Sequence, residues 1–128
     1  MGPVRPTTAQ IILVDDDDTV REVAEMVLIG AGHTVRATSN GFEALRWMEQ
    51  ERCDLLIADL KMPQIDGPTL YAEVQARWPT GGPRVMFFSG FADAAAYGPE
   101  VSCPAPILFK PFSVDDLRAA VDRALATA

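Results

Sequence analysis

Four apolar residues, Leu55, Leu56, Ile57 and Ala58, run without interruption and stop on a carboxylate, Asp59. A run this short and this continuous reads as a strand covered on both faces. Pro63 and the Asp66-Gly67 pair then turn the chain. Strands covered on both sides belong to parallel sheets, where ligands bind beyond the carboxyl ends of the strands. Asp59 stands at that position. Taken by itself it fits a cap for the following turn equally well, so the other segments have to decide.

They repeat the pattern. Gln10 to Val14 is a first strand, and four carboxylates, Asp15, Asp16, Asp17 and Asp18, follow it. A helix begins there: Thr19 and Glu22 have capping-box spacing, with Asp18 an alternative cap. Val20, Val23, Ala24, Val27 and Leu28 recur at helical spacing and form one face, and Gly30 and Gly32 end it. His33 to Ala37 is a short strand. Asn40 and Glu43 open a second helix with Phe42, Leu45 and Met48 inward. The strand to Asp59 follows, then a third helix from about Pro68 to Trp78, with Leu70, Val74 and Trp78 as its buried stripe. Arg84 to Phe88 is a fourth strand ending at Ser89-Gly90. Ala92 to Tyr97 has room for a brief helix only, because Gly98, Pro99, Pro104 and Pro106 forbid a long one. Ile107 to Phe109 is a fifth strand ending at Lys110-Pro111. Ser113 and Asp116 cap a last helix whose inward residues are Leu117, Val121 and Leu125. Five strands alternating with helices predict a parallel sheet with helices on both faces.

Composition narrows the possibilities. A chain of 128 residues, 48% apolar, is one domain with a substantial core. Residues 1–8 read as a flexible tail or the end of a linker, and 9–128 as the domain. A net charge of −7 argues against nucleic acid as a direct partner. Cys53 and Cys103 have no metal-ligand spacing and read as free thiols of a reducing compartment. The single histidine, His33, excludes a multi-histidine metal site and is expected to be exposed and inert. No apolar run reaches transmembrane length, and the first residues lack a signal-peptide core. The expected location is the cytoplasm, with no direct membrane partner.

The strand ends now form a set: Asp15 and Asp16 from strand one, Asp59 from strand three, Ser89 from strand four and Lys110 from strand five. Carboxylates that crowd together need a proton or a cation among them. Mg²⁺ suits such a site, being hard, oxygen-liganded and usually completed by water and phosphate. Asp59 could then act as a nucleophile and become an aspartyl phosphate. The metal and Lys110 would neutralise the phosphoryl oxygens while Ser89 donates to one of them. Asp17 and Asp18 read as a solvated, helix-capping turn. A calcium-binding EF-hand loop starting at Asp15 fails, since Val20 and Met26 stand where Gly and Glu are required.

These residues, in this order, resemble the receiver domain of two-component response regulators over about residues 9–126. The matching pieces are Ile12-Leu13-Val14-Asp15-Asp16, Asp59-Leu60-Lys61-Met62-Pro63 with Asp66-Gly67, Phe88-Ser89-Gly90, and Lys110-Pro111-Phe112. The wording around Asp66 and Lys110 looks most like receivers attached to hybrid sensor histidine kinases. The resemblance implies a flavodoxin-like, doubly wound five-stranded sheet of order 2-1-3-4-5. It implies Asp59 as phosphoacceptor, Ser89 and Lys110 as phosphoryl-binding residues, and a cis Lys110-Pro111 peptide. It implies Mg²⁺, or Mn²⁺, held by Asp15, Asp16, Asp59 and the backbone carbonyl of Lys61. The implied partner is a histidine kinase or a histidine phosphotransfer protein. The chain would catalyse its own phosphorylation and dephosphorylation without being an enzyme for a separate substrate; its oligomeric state is left open, a monomer being favoured.

Two features depart from the family. Ile107 stands where many receivers carry an aromatic residue, so a two-state aromatic switch is not implied. The segment before it is short and proline-rich, so the helix between strands four and five is expected to be short or irregular. The Lys61 side chain reads as solvated rather than catalytic, although it borders the site where it could tune dephosphorylation, and Phe91, two residues after Ser89, is placed to gate water access. A receiver-shaped interaction module that does not signal by phosphate is the alternative reading. A flavodoxin-like cofactor carrier is the third, and the four carboxylates after strand one speak against it because they would repel a cofactor phosphate.

Overall fold

The computed structural model describes residues 8–90 and 105–126. Its strands are β1 (Gln10–Val14), β2 (Thr34–Thr38), β3 (Leu55–Asp59), β4 (Arg84–Gly90) and β5 (Ile107–Lys110). They form one parallel sheet in the order β2-β1-β3-β4-β5, as expected. The helices are α1 (Asp18–Gly30), α2 (Gly41–Gln50), α3 (Gly67–Arg77) and α4 (Val114–Ala126). The brief helix expected over Ala92–Tyr97 lies outside the described residues, as do Phe91 and Cys103.

Alternation along the strands divides the core in two. Ile11, Leu13, Leu55, Ile57, Met86 and Phe88 face α1 and α4, where they meet Ala24, Leu28, Leu117 and Val121. Ile12, Val14, Leu56, Ala58, Val85 and Phe87 face α2 and α3, where they meet Leu45, Met48, Leu70 and Val74. β3 sits at the middle of the sheet and is buried at all five positions, which is why its sequence is apolar without alternation. Among the described residues no helix is long and apolar enough to cross a membrane.

The caps explain where the helices start. Asn40 and Asp66 accept from the backbone N–H groups of Phe42 and Thr69. Ser113 and Asp116 exchange reciprocal bonds of 2.9 and 3.1 Å, a capping box. At α1 the cap is Asp17, which accepts from Val20 N–H at 3.1 Å, and not Asp18 or Thr19.

Two inward assignments and one outward assignment need correction. Phe42 is 56% exposed, because the inward stripe of α2 is Gly41, Ala44, Leu45 and Met48. Gly41 belongs to that stripe because a Cβ there would come within 2.5 Å of Ile65 Cγ2. Val23 is half-exposed at the rim of α1, whose buried residues are Ala24 and Leu28. His33 is buried, not exposed. Its Nδ1 accepts the backbone N–H of Ala9 at 3.1 Å, fixing the chain's entry into β1, and burial lowers its pKa against the opposing pull of Asp122.

Candidate functional site at the carboxyl end of the sheet

Register brings the acids together. Val14, the last residue of β1, pairs with Ala58, so Asp15, which follows it, emerges beside Asp59. Asp59 pairs with Phe88 and Gly90 with Lys110, which brings Ser89 and Lys110 to the same edge. Carboxylate oxygens of Asp15, Asp16 and Asp59 lie within 4.8 Å of one another. Lys110 Nζ reaches into this group, 3.0 Å from Asp15 Oδ2 and 3.4 Å from Asp59 Oδ2. Asp15, Asp59 and Ser89 are buried. In front of them an open cleft of about 590 Å³ is lined by Asp16, Asp17, Asp59, Lys61, Met62, Pro63 and Lys110.

Each side chain is held differently. Asp15 Oδ1 accepts the N–H of Asp17 at 2.9 Å, and the Asp15 N–H donates to the Thr38 carbonyl at 3.1 Å. Asp16 makes no hydrogen bond or ion pair among the described residues and faces the cleft. Ser89 Oγ donates to the carbonyl of Gly90 at 2.9 Å, so its hydroxyl is engaged with the backbone of its own strand. Gly67 lets α3 approach the end of β3: a Cβ there would stand 2.9 Å from the Asp59 carbonyl oxygen and 3.0 Å from Leu60 Cα. The Lys110-Pro111 peptide is cis.

Three carboxylates facing one ammonium leave the site short of positive charge. Burial, followed by the charge of Asp15, pushes the Asp59 carboxyl up to about 7, against the downward pull of Lys110. At Lys110 burial opposes the charged form, but the contacts with Asp15 and Asp59 outweigh it and its pKa is raised. Asp59 Oδ1 is buried with no hydrogen-bond partner among the described residues, and buried Asp15 Oδ2 is met only by the Lys110 ammonium at 3.0 Å. Buried acceptors left over in an acid cluster are what a hard, oxygen-seeking cation satisfies, so the residues present fit Mg²⁺ or Mn²⁺.

One residue at this site escaped the reading of the sequence. Arg21 donates from Nη1 to the Asp15 carbonyl at 2.8 Å and from Nη2 to Asp18 Oδ1 at 2.6 Å. Its only signal in the sequence was a cation near a helix amino terminus, where the helix dipole disfavours positive charge.

Residues 11–122 match the response regulator receiver domain family. The chain is 36% identical over 121 residues to the sensor kinase CckA of Brucella abortus, covering 92% of this chain and 13% of that protein. It is 33% identical over 121 residues to the response regulator receiver protein CpdR of the same organism, covering 93% of this chain and 98% of CpdR. The crystal structure of a putative response regulator from Chloroflexus aurantiacus superposes with a TM-score of 0.82 at 36% identity, over 94% of this chain and all of that one.

Proposed function

Because this chain belongs to the response regulator receiver domain family of two-component signalling, we propose that it takes a phosphoryl group onto Asp59 from a phosphohistidine of a kinase or phosphotransfer protein. The observation that carries this reading is the meeting of Asp15, Asp16 and Asp59 within 4.8 Å, with the Lys110 amine spanning Asp15 and Asp59. An oxygen of the Asp59 carboxylate forms the new P–O bond. The P–N bond to the donor imidazole breaks, and its electron pair stays on the ring nitrogen. Lys110 offers its ammonium to the phosphoryl oxygens. For Ser89 to donate to a phosphoryl oxygen, its hydroxyl must leave the Gly90 carbonyl. Phosphorylation thereby changes the end of β4, and a partner that binds the two arrangements unequally reads the change.

Asp15, Asp16, Asp59 and the Lys61 carbonyl are the residues that would hold Mg²⁺ or Mn²⁺. When bound, the ion supplies charge neutralisation for the acids and the incoming phosphoryl oxygens. Asp59 must be ionised to attack, and a carboxyl held near 7 without metal is only partly so at neutral pH. The unit extends over residues 9–128 in this reading, with 1–8 leading into it, and acts as a monomer in the cytoplasm. The likeness to CckA supports service within a hybrid kinase relay. This chain spans only 13% of that protein, so nothing of the kinase activity itself is carried over.

The test is incubation of the full chain with a phosphorylated histidine phosphotransfer protein, with and without Mg²⁺. Metal-dependent, acid-labile phosphate on wild type and none on Asp59→Asn is expected. Equal labelling of the Asp59→Asn protein would sink the assignment. No labelling with any donor, together with no Mg²⁺-dependent binding of beryllofluoride, would favour the non-phosphorylated interaction module, to which Ile107 lends some support.

A further inference from the structure

We infer that Arg21 is a positioning residue for the cation site, acting through the peptide that joins Asp15 to Asp16. The inference rests on the metal site proposed above and adds a residue to it. Asp16 faces the cleft without a partner of its own among the described residues, so the backbone behind it must set where its carboxylate points. The Asp15 carbonyl and the Asp16 N–H share one rigid plane. Fixing the carbonyl fixes the plane from which Asp16 departs. Arg21 does so with one arm of its guanidinium, 2.8 Å from the Asp15 oxygen. Its other arm is tied 2.6 Å away to Asp18 Oδ1, at the start of α1.

Three observations set this arginine apart from a solvated surface charge. Its side chain is 20% exposed, the lowest of the arginines in the described ion pairs, whose others range from 38% to 80%. It sits in the first turns of α1, against the helix dipole, so the helix does not favour it. Its two donors form a fork with acceptors from two different places, the end of β1 and the first turn of α1. A lysine, with a single point charge, cannot reproduce that geometry. Asp15 itself is held at its N–H by Thr38, at Oδ1 by Asp17 and at Oδ2 by Lys110. Arg21 holds its carbonyl, the atom that lies in the same peptide plane as the Asp16 N–H.

The sign of the effect separates positioning from plain electrostatics. A cation beside a cation site repels the incoming ion, so deleting its charge should tighten metal binding if Arg21 contributes charge alone. If Arg21 orients the ligand loop, deleting it should weaken binding, as loss of groups that orient metal ligands does by about 10–100-fold. The experiment is Mn²⁺ binding to the full chain by electron paramagnetic resonance, for wild type, Arg21→Lys and Arg21→Met, with circular dichroism confirming that each is folded. The expected order of affinity is wild type, then Arg21→Lys, then Arg21→Met, the last at least tenfold weaker. Arg21→Met binding Mn²⁺ as tightly as wild type, or more tightly, overturns the inference. Should Arg21→Met not fold, Arg21→Lys decides: weaker binding supports positioning, and equal binding overturns it. Wild type failing to bind Mn²⁺ would overturn the metal site, and this inference with it, whereas wild-type binding with unaffected variants removes Arg21 alone.

Discussion

Gly67→Ala sets two familiar effects against each other in one substitution. Alanine in place of glycine within a helix stabilises by about 0.5–1 kcal/mol. At Gly67, the first residue of α3, the new Cβ would meet the Asp59 carbonyl oxygen at 2.9 Å, Phe87 Cε1 at 2.9 Å and Leu60 Cα at 3.0 Å. Two of these are backbone atoms of the buried end of β3, and Phe87 is fully buried with Tyr71 beside it. None can swing aside freely. Overpacking of this kind costs about 1–3 kcal/mol, and the rigidity of the neighbours places it toward the upper end. The clash therefore outweighs the helical gain, leaving a net loss of about 1–2 kcal/mol and a melting temperature lowered by roughly 3–8 °C. Because the displaced atoms carry the Asp59 carboxylate, Mg²⁺-dependent beryllofluoride binding should weaken as well. Gly30→Ala is the matched control. It lies at the end of α1, nothing stands within 4 Å of its Cβ, and it should melt at or slightly above wild type. The assay is thermal unfolding of the three proteins at neutral pH. A Gly67→Ala protein that melts at or above wild type would refute the close-approach reasoning.

Other outcomes follow from the same site and its surroundings. The Asp59 carboxyl is raised from 3.8 to about 7, so between those values the folded chain keeps a proton that the unfolded chain has released. Metal-free stability should therefore fall as pH rises through that window, and Asp59→Asn should remove that component; a wild-type-minus-variant difference that instead grows in favour of wild type with pH would contradict it. Burial lowers the pKa of His33, whose contribution to stability is present above the unfolded value of 6.5 and lost as pH falls through the lower folded one. Nuclear magnetic resonance titration of its ring should give a midpoint below 6.5, and a midpoint at or above that value counts against the buried geometry. Lys110→Gln should slow phosphorylation by about 10²-fold or more, as loss of a donor to developing charge does. An unchanged rate would remove Lys110 from the chemistry.

The grouping of Asp15, Asp59, Ser89 and Lys110 was legible in the sequence because each stands at or next to the carboxyl end of a strand. An apolar run that stops on Asp15, Asp59, Ser89 or Lys110 declares both the strand and the side chain at its carboxyl end, and the parallel order of the sheet does the rest. The failures share a physical origin: they concern residues whose partners are distant or are not side chains. His33 looked exposed because nothing local says that its ring would receive the N–H of Ala9, 24 positions away. Phe42 looked inward because a large apolar residue is the natural choice for a buried face, whereas the buried position is Gly41, made so by Ile65. Asp17 rather than Asp18 caps α1 because of the phase of the helix, and four adjacent carboxylates carry no information about that phase. Arg21 was invisible because it works on a backbone carbonyl.

The most direct measurement is to locate the covalent bond. The chain would be phosphorylated with Mg²⁺ present and reduced with borohydride, which converts an acyl phosphate to homoserine, and its peptides then sequenced by mass spectrometry. Homoserine at position 59, with Asp15 and Asp16 intact, is the predicted result. Homoserine at 15 or 16, or a stable phosphate elsewhere with residue 59 unchanged, would contradict the assignment of Asp59 as the acceptor.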